Sequence, residues 1–421
     1  MHFRTFFYLG FLWTFLTYPL SLYGQFTIKG EIRPRTEWRH GYRSPFAQED
    51  ASAIFTSQRS RLYFKFAGDG YQVFLSLQDV RVWGDEEHLK DVPSAAVHEA
   101  WAQISFTEWL AARMGRQELV YDDHRLLGNV NWTQQARSHD ALVFKLSRKQ
   151  WKGDIGIAWN ANKEALRQDP YPLNNYQSLF YLWIQHTLLQ KGTLSYLFIN
   201  DNFKDAGRQN SGVKTRYTGG IQFSFPLSLI QFKGTAYYQW GKMADGRAIR
   251  AYFAGIALSS QFSHASLTLA SDVLSGDSPD NQQNVYRAFH TLYATNHKFY
   301  GYMDYFLNIP KDTYGGGLMD TYIRIKWAPA RTAVSLTAHY FRQMKTSLPV
   351  MPDPPASPNL GMEIDATFQY KLNDAVTISG GISRFFPTET LILFRGGSKE
   401  VAQYWNWLMV SVNTGWFTLG S

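Results

Sequence analysis

Apolar and polar side chains take turns along most of this chain with a period of two. Leu110, Ala112 and Met114 fall on one side of a run, and Arg113, Gly115 and Gln117 on the other. The alternation resumes with Leu142, Phe144 and Leu146 opposite Val143, Lys145 and Ser147. A period of two is the mark of a β-strand. Between these runs, residues 121–140 form a polar segment too long for a hairpin turn. Residues 25–39 alternate most regularly. Phe26, Ile28, Gly30, Ile32, Pro34 and Trp38 share one face; Lys29, Glu31, Arg33, Arg35, Glu37 and Arg39 share the other.

Further runs occupy 57–66, 71–83, 98–106, 154–162, 177–187, 194–202, 215–225 and 230–240. Others follow at 251–261, 265–273, 319–327, 332–341, 361–370, 375–383 and 401–413. Parity blurs over 79–82, where a bulge is expected. Short turns such as Gly68-Asp69-Gly70 and Asn373-Asp374 alternate with long polar connections, the longest being 275–318. This rhythm predicts an all-β fold, a transmembrane antiparallel β-barrel of about eighteen strands. Apolar faces would meet lipid, charged faces would line the lumen, long loops would lie outside and short turns on the periplasmic side.

Composition narrows the picture. The chain has 421 residues and no cysteine, so it holds no disulfide framework and no thiolate metal site. Aromatic residues make up 16% of the chain, while the mean hydropathy is −0.31. Residues 1–24 stand apart, with Arg4 ahead of an apolar stretch; they are expected to be a signal peptide cleaved near Gly24-Gln25. Residues 25–421 would form the barrel. The net charge is +8, and losing Arg4 would leave +7. In an exported chain this balance points to anionic solutes or acidic polymers, with no nucleic acid as partner.

The lumen faces carry the sharpest signal. Lys29, Arg33, Arg35, Arg59, Arg61, Lys65, Arg113 and Lys145 come from neighbouring strands; Arg216, Lys233, Arg324 and Lys326 continue the series. Guanidinium forks suit carboxylates and phosphates. The structural alternative is that these charges only cross-link and solvate the wall through pairs with acids such as Glu31, Glu99, Asp320 and Glu363. Residues 121–140 form either a surface loop or a constriction, in which Asp122, Asp123, His124, Arg125 and Arg137 would set the field. Trp101, Trp132 and Tyr237 are either sugar-stacking platforms or packing residues. Asp272, Asp277, Asp280 and Asn281 lack the spacing of a calcium loop, so Asp277 and Asp280 are weak candidates and neither metal nor cofactor is expected. Sequence motifs of hydrolases, P-loop proteins and dinucleotide enzymes are absent, and no enzyme is expected.

Several segments resemble the alginate-export family of outer-membrane β-barrel porins. They are Leu77-Gln78-Asp79-Val80-Arg81-Val82-Trp83, Gly115-Arg116-Gln117-Glu118-Leu119, Asp122-Asp123-His124-Arg125-Leu126, Trp132-Thr133-Gln134-Gln135, Ser138-His139-Asp140, Ser275-Gly276-Asp277 and Thr295-Asn296-His297-Lys298-Phe299-Tyr300-Gly301. The resemblance implies a monomeric outer-membrane barrel of eighteen strands whose arginine-rich pore passes a polyuronate. Its basic constriction would fall on Arg59, Arg61, Arg113 and Arg116, with Asp79 and Glu118 as acidic companions. Strand parity places Arg116 on the lipid side, opposite Arg113. The combined expectation is a channel for anionic solutes, among them an acidic polysaccharide such as alginate. The competing reading is a loop-plugged barrel serving as surface receptor, adhesin or assembly subunit.

Overall fold

The structure, a computed structural model, describes residues 24–90, 92–164, 166, 175–188, 191–203, 213–278, 284–345 and 357–419. The expected signal peptide (but for Gly24) and the calcium candidates Asp280 and Asn281 lie outside the described residues.

The alternating runs form strands. The first ten are β1 (Gly24–His40), β2 (Ala53–Gly68), β3 (Tyr71–Val82), β4 (Ala96–Ser105), β5 (Leu110–Gln117), β6 (His139–Arg148), β7 (Trp151–Trp159), β8 (Ser178–Thr187), β9 (Thr193–Phe203) and β10 (Lys214–Leu227). After them come β11 (Ile230–Lys242), β12 (Ala248–Phe262), β13 (Ala265–Leu274), β14 (Val285–Tyr286) and β15 (Leu318–Trp327). The last are β16 (Thr332–Arg342), β17 (Asn359–Lys371), β18 (Val376–Pro387), β19 (Gln403–Asn413) and β20 (Phe417–Leu419). Successive wall strands pair antiparallel, with β13 passing directly to β15. β1 pairs β2 on one side and β19 on the other, which closes the ring. Short β14 lies parallel to β12, and β20 only extends the edge beside β1. Eighteen strands therefore close the wall. Closure is what the backbone requires, because lipid offers no partner to an open edge.

The closing seam contains an irregularity. β19 pairs with β1 from Glu31 to His40, and β20 takes over at Phe26–Ile28. Between them Thr414 exchanges hydrogen bonds with Gly30, its N–H reaching the carbonyl at 3.0 Å and its Oγ1 accepting the amide at 2.9 Å. A second irregularity lies where β3 meets β4. Ser76 faces Glu99 but Leu77 faces Val97, so His98 is the extra residue of a bulge. The bulge expected over 79–82 is not there, and those residues keep a continuous register with β2. The expected blurring came from the change of environment at the strand's loop end, where Asp79 and Arg81 share the outer face with Leu77.

The two faces separate as alternation demands. On β1, Ile32 is 52% exposed while Arg33 and Arg35 are 6% and 5% exposed. Outward tryptophans gather near both rims: Trp38, Trp83 and Trp159 at the loop end, Trp109, Trp151 and Trp327 at the turn end. Such girdles suit the two membrane interfaces. The buried core lies inside the ring, built largely from two loops that fold inward, 118–138 and 284–317. Leu127, Met303 and Tyr305 within them are fully buried.

Candidate functional site

Neighbouring strands β1 and β2 set Arg33 across from Arg59, and Glu31 across from Arg61. Glu31 accepts the Arg59 Nε–H at 3.0 Å and the Tyr63 hydroxyl at 2.8 Å. Glu37 accepts from Arg35 at 2.9 Å and from Arg39, and its second oxygen also takes Trp405 Nε1 at 2.9 Å. These pairings keep buried charges from standing alone. Arg61 and Arg113 differ. Arg61 donates to Gln78 Oε1 at 2.6 Å, and Arg113 donates to Gln103 Oε1 at 2.9 Å while lying 3.8 Å over the Trp101 ring. Both guanidiniums therefore donate to neutral oxygens. Glu99 and Asp154 lie near Arg113 and Glu118 near Arg61, but neither arginine makes an ion-pair contact among the described residues.

The segment 118–138 leaves β5 and crosses the lumen. Its far part meets the basic wall: Arg33 holds Gln134 Oε1 and the Thr133 carbonyl, Arg35 holds the Trp132 carbonyl at 2.7 Å, and Arg59 holds Asn131 Oδ1 at 2.9 Å. Gln134 answers with donations to Arg33 O and to Ser57. Its near part reaches other strands. Arg125 joins Asp272 on β13 and Asp123, and lies 4.0 Å over Phe299. Asp122 accepts Trp183 Nε1 at 2.9 Å. Of the two readings open for this segment, the inward one is the geometry found.

The loop 284–317 supplies the other half of a septum. Met303 N–H donates to Glu363 at 2.7 Å and the Tyr305 hydroxyl to the Gly41 carbonyl at 2.7 Å, so it is anchored to β17 and to the chain just past β1. The loops meet at a parallel bridge, Leu127 to Tyr293. Gly128 N–H donates to Tyr293 O, Tyr293 N–H to Leu126 O, and Thr295 N–H to His124 O, each within 3.0 Å. Val130 N–H adds a bond to Thr295 Oγ1 at 3.1 Å. Arg137 clamps the crossing by donating to the carbonyls of Gly128, Tyr293 and Ala294.

Cavities lie on both sides of the septum. One of about 840 Å³ faces the long loops and is lined by Arg137, Tyr176, Arg216, Lys242, His290 and Tyr293 among others. Another of about 530 Å³ lies toward the short turns, with Trp132, Lys298, Tyr302, Arg324, Lys326 and Trp407 on its walls. Burial, with the Lys298 ammonium beside it, holds the His124 imidazole below its usual range, so that wall is neutral at His124 near pH 7.

Not every residue expected in the pore is there. Register places Asp79 beside Ser60, on the outer face of β3, where it pairs with Arg81 at 2.7 Å; Gln78 takes the lumen position beside Arg61. Arg116 shares the face of Met114, is half-exposed and pairs with Asp140 at 2.9 Å, apart from Arg59 and Arg61, although both partners line the rim of the loop-side cavity. Period-two geometry explains both departures, since a residue next to a lumen residue turns outward. Glu118 does face inward, with His98 Nε2 at 2.9 Å and Asn129 Nδ2 at 2.6 Å. Lys145 pairs with Asp154 on β7. His98, Glu99 and Glu118 bring three ligand atoms within 4.8 Å, but the hydrogen bonds to Glu118 already satisfy it. The Asp277 carboxylate accepts the Ser278 N–H.

The roles of Gln78, Gln103, Asn131 and Gln134 as neutral partners, and the inward fold of 284–317 within the long connection already marked in the sequence, escaped sequence reasoning. Glutamine at a lumen position carries no signal until its register neighbour is known to be arginine.

No curated protein matches the chain in sequence. Solved structures do share its fold. OpdL of Pseudomonas aeruginosa superposes with a TM-score of 0.60 at 11% identity, covering 94% of this chain and 99% of that one. OccAB4 of Acinetobacter baumannii gives 0.62 at 12% identity, over 93% and 98%. The Pseudomonas aeruginosa OpdK structure with vanillate gives 0.55 at 10% identity, over 93% and 99%. A family model described as alginate export matches residues 25–398. With the closed eighteen-strand wall and that match, the chain belongs to the alginate-export family of outer-membrane β-barrel porins.

Proposed function

We propose that this barrel is an outer-membrane channel selective for anionic solutes, with carboxylates as the preferred class and an acidic polysaccharide such as alginate as their polymeric member. It works as a monomer whose long loops face the exterior. The observation that carries this reading is the pair of guanidiniums in the lumen wall, Arg61 buried and Arg113 half-buried, set against the neutral oxygens of Gln78 and Gln103. A positive charge in a narrow, low-dielectric passage raises the local anion concentration and lowers that of cations. The vanillate held by OpdK is itself a carboxylate, which supports the solute class. Binding at several weak points lets an anion enter and still leave.

Single-channel recording in a planar bilayer under a salt gradient tests this. The expected reversal potential reports chloride preferred over potassium, and Arg61→Ser with Arg113→Ser moves it toward zero. Conductance without selectivity would reduce the protein to a general pore. The second reading, a plugged barrel acting as receptor, adhesin or assembly subunit, draws on the fully buried Leu127, Met303 and Tyr305 in the septum. A stable but silent barrel would favour it.

A further inference from the structure

Arg137 is a half-buried cation whose side-chain bonds all run to backbone carbonyls. They come from both inward loops: Gly128 from one, Tyr293 and Ala294 from the other. Among the described residues no carboxylate pairs with it. Burial accordingly pulls the guanidinium below the usual arginine range, with only tyrosine hydroxyls opposing that shift. Two other arginines of the interior are treated differently. Arg216, which lines the same cavity, is neutralised by Asp201, and Arg125 is held by Asp123 and Asp272. Arg137 also lines the loop-side cavity, together with Lys242, for which no described partner is seen. A cavity of about 840 Å³ has room for a sugar acid.

We infer that Arg137 is a carboxylate-operated latch: an organic acid entering the loop-side cavity takes the guanidinium from the three carbonyls, and the septum between the two loops opens. The inference rests on the channel reading above. Its physical basis is a competition for one donor. Arginine–carboxylate bonds are charge-assisted and roughly twice as strong as bonds to neutral acceptors. A half-buried guanidinium without a counter-ion also gains more from an anion than an exposed one does. Once Arg137 turns to the carboxylate, the crossing keeps its bonds at Gly128, Tyr293, Thr295 and Val130 and the contacts of Lys298 with Asp123 and of Arg125 with Tyr300. It loses the side chain that ties Gly128 to Tyr293 and Ala294. Lys242, on the lining of the same cavity, also holds the acid. When the acid moves on, the carbonyls reclaim Arg137 and the septum closes.

The test uses the full barrel in a planar bilayer, first in potassium chloride and then with millimolar sodium glucuronate or a short oligogalacturonate. A differential affinity typical of coupled sites predicts a rise in open fraction of at least ~5-fold with the acid. Arg137→Gln should be open more often without acid and should not respond to it. Val130→Cys with Thr295→Cys joins the two loops in a chain that has no other cysteine. Oxidised, that variant should stay shut with acid present; reduced in the same bilayer, it should recover, which removes misfolding as an explanation. A response to the monomer alone assigns small acids, and a response to the oligomer assigns the polymer. Selective anion conductance that ignores glucuronate, an Arg137→Gln channel that responds like the parent, or an oxidised pair that still conducts would each overturn the latch and leave the channel reading standing. Silence in chloride and in glucuronate alike would remove both.

Discussion

Two demands meet on one carboxylate at Asp122. Its Oδ1 accepts Trp183 Nε1, while Oδ2 is buried without a hydrogen bond of good geometry, although Ser195 stands near. Burial pushes the Asp122 acid up from its usual range, against the opposing effect of the Trp183 bond. An acid raised on folding binds its proton more tightly in the folded loop, so it favours the inward position at low pH and loses that advantage as pH rises through the raised value. Asparagine copies the protonated form at every pH, and its amide can donate to Ser195. It also tolerates the left-handed backbone at this position, where φ is 51°. Asp122→Asn should therefore hold the inward loop more firmly by about 1 kcal/mol at neutral pH. Hydrogen exchange over 118–138 should slow by roughly 5-fold at pH 7, with the difference vanishing near pH 4. An unchanged rate at pH 7 would refute it. At this scale the sequence was half legible. Alternation alone placed Arg33, Arg35, Arg59 and Arg61 inward, because Arg33, Arg35 and Arg61 are each one step from an outward apolar residue and Arg59 is two steps from Arg61. Their partners were not legible, since Trp132 and Gln134 lie about a hundred residues from Arg35 and Arg33 along the chain.

Elements show the same division. Strand existence and facing followed from period two, and even the seam beside β1 was readable as alternation up to Asn413. Local breaks were not. The extra residue at His98 shifts β4 against β3 and turns His98 toward Glu118, yet no glycine or proline announces it. Nor did polarity reveal that two connections fold inward, because a loop can satisfy its backbone with lumen arginines as well as with water. Glycine positions now identify how the second loop is seated. A Cβ on Gly276 would stand 2.0 Å from the Gly316 carbonyl oxygen, a backbone atom that cannot rotate aside. Gly276→Ala should thus push apart the entry and exit of the 275–317 connection at a cost of roughly 1–3 kcal/mol. The wall pairing is not involved, so the variant should retain a heat-modifiable barrel on a gel while 284–317 becomes sensitive to trypsin. Resistance equal to that of the parent would show that the crossing at Gly316 does not seat the loop.

For the whole molecule, excess positive charge matters less than where it goes uncancelled. Lys and Arg number 42 against 34 Asp and Glu, and much of the basic series seen in the sequence turns out to be bonded into the wall. Arg33 and Arg35 are occupied by the inward loop, and Arg35 shares Glu37 with Arg39. On the turn side of the septum the situation is reversed. Arg324 donates to Thr337 Oγ1, Lys298 donates to the Asp123 carbonyl, and Lys326 lines the same cavity without a described anion beside it. A paired charge contributes little field a few ångströms away, whereas an unpaired one is felt over about a Debye length, ~8 Å at physiological ionic strength. Selectivity should therefore respond unequally to removing the same number of charges. Arg324→Ser with Lys326→Ser should reduce the preference for chloride over potassium, and the loss should shrink as salt is raised. Arg33→Gln with Arg35→Gln should change selectivity less and destabilise the inward loop more, since Gln134 and the Thr133 and Trp132 carbonyls lose their charged donors. The reversal potential of each double variant, recorded at two salt concentrations, decides between them. If the Arg33–Arg35 variant loses more selectivity than the Arg324–Lys326 variant while its loop stays protected, the division between structural and field-setting cations is wrong.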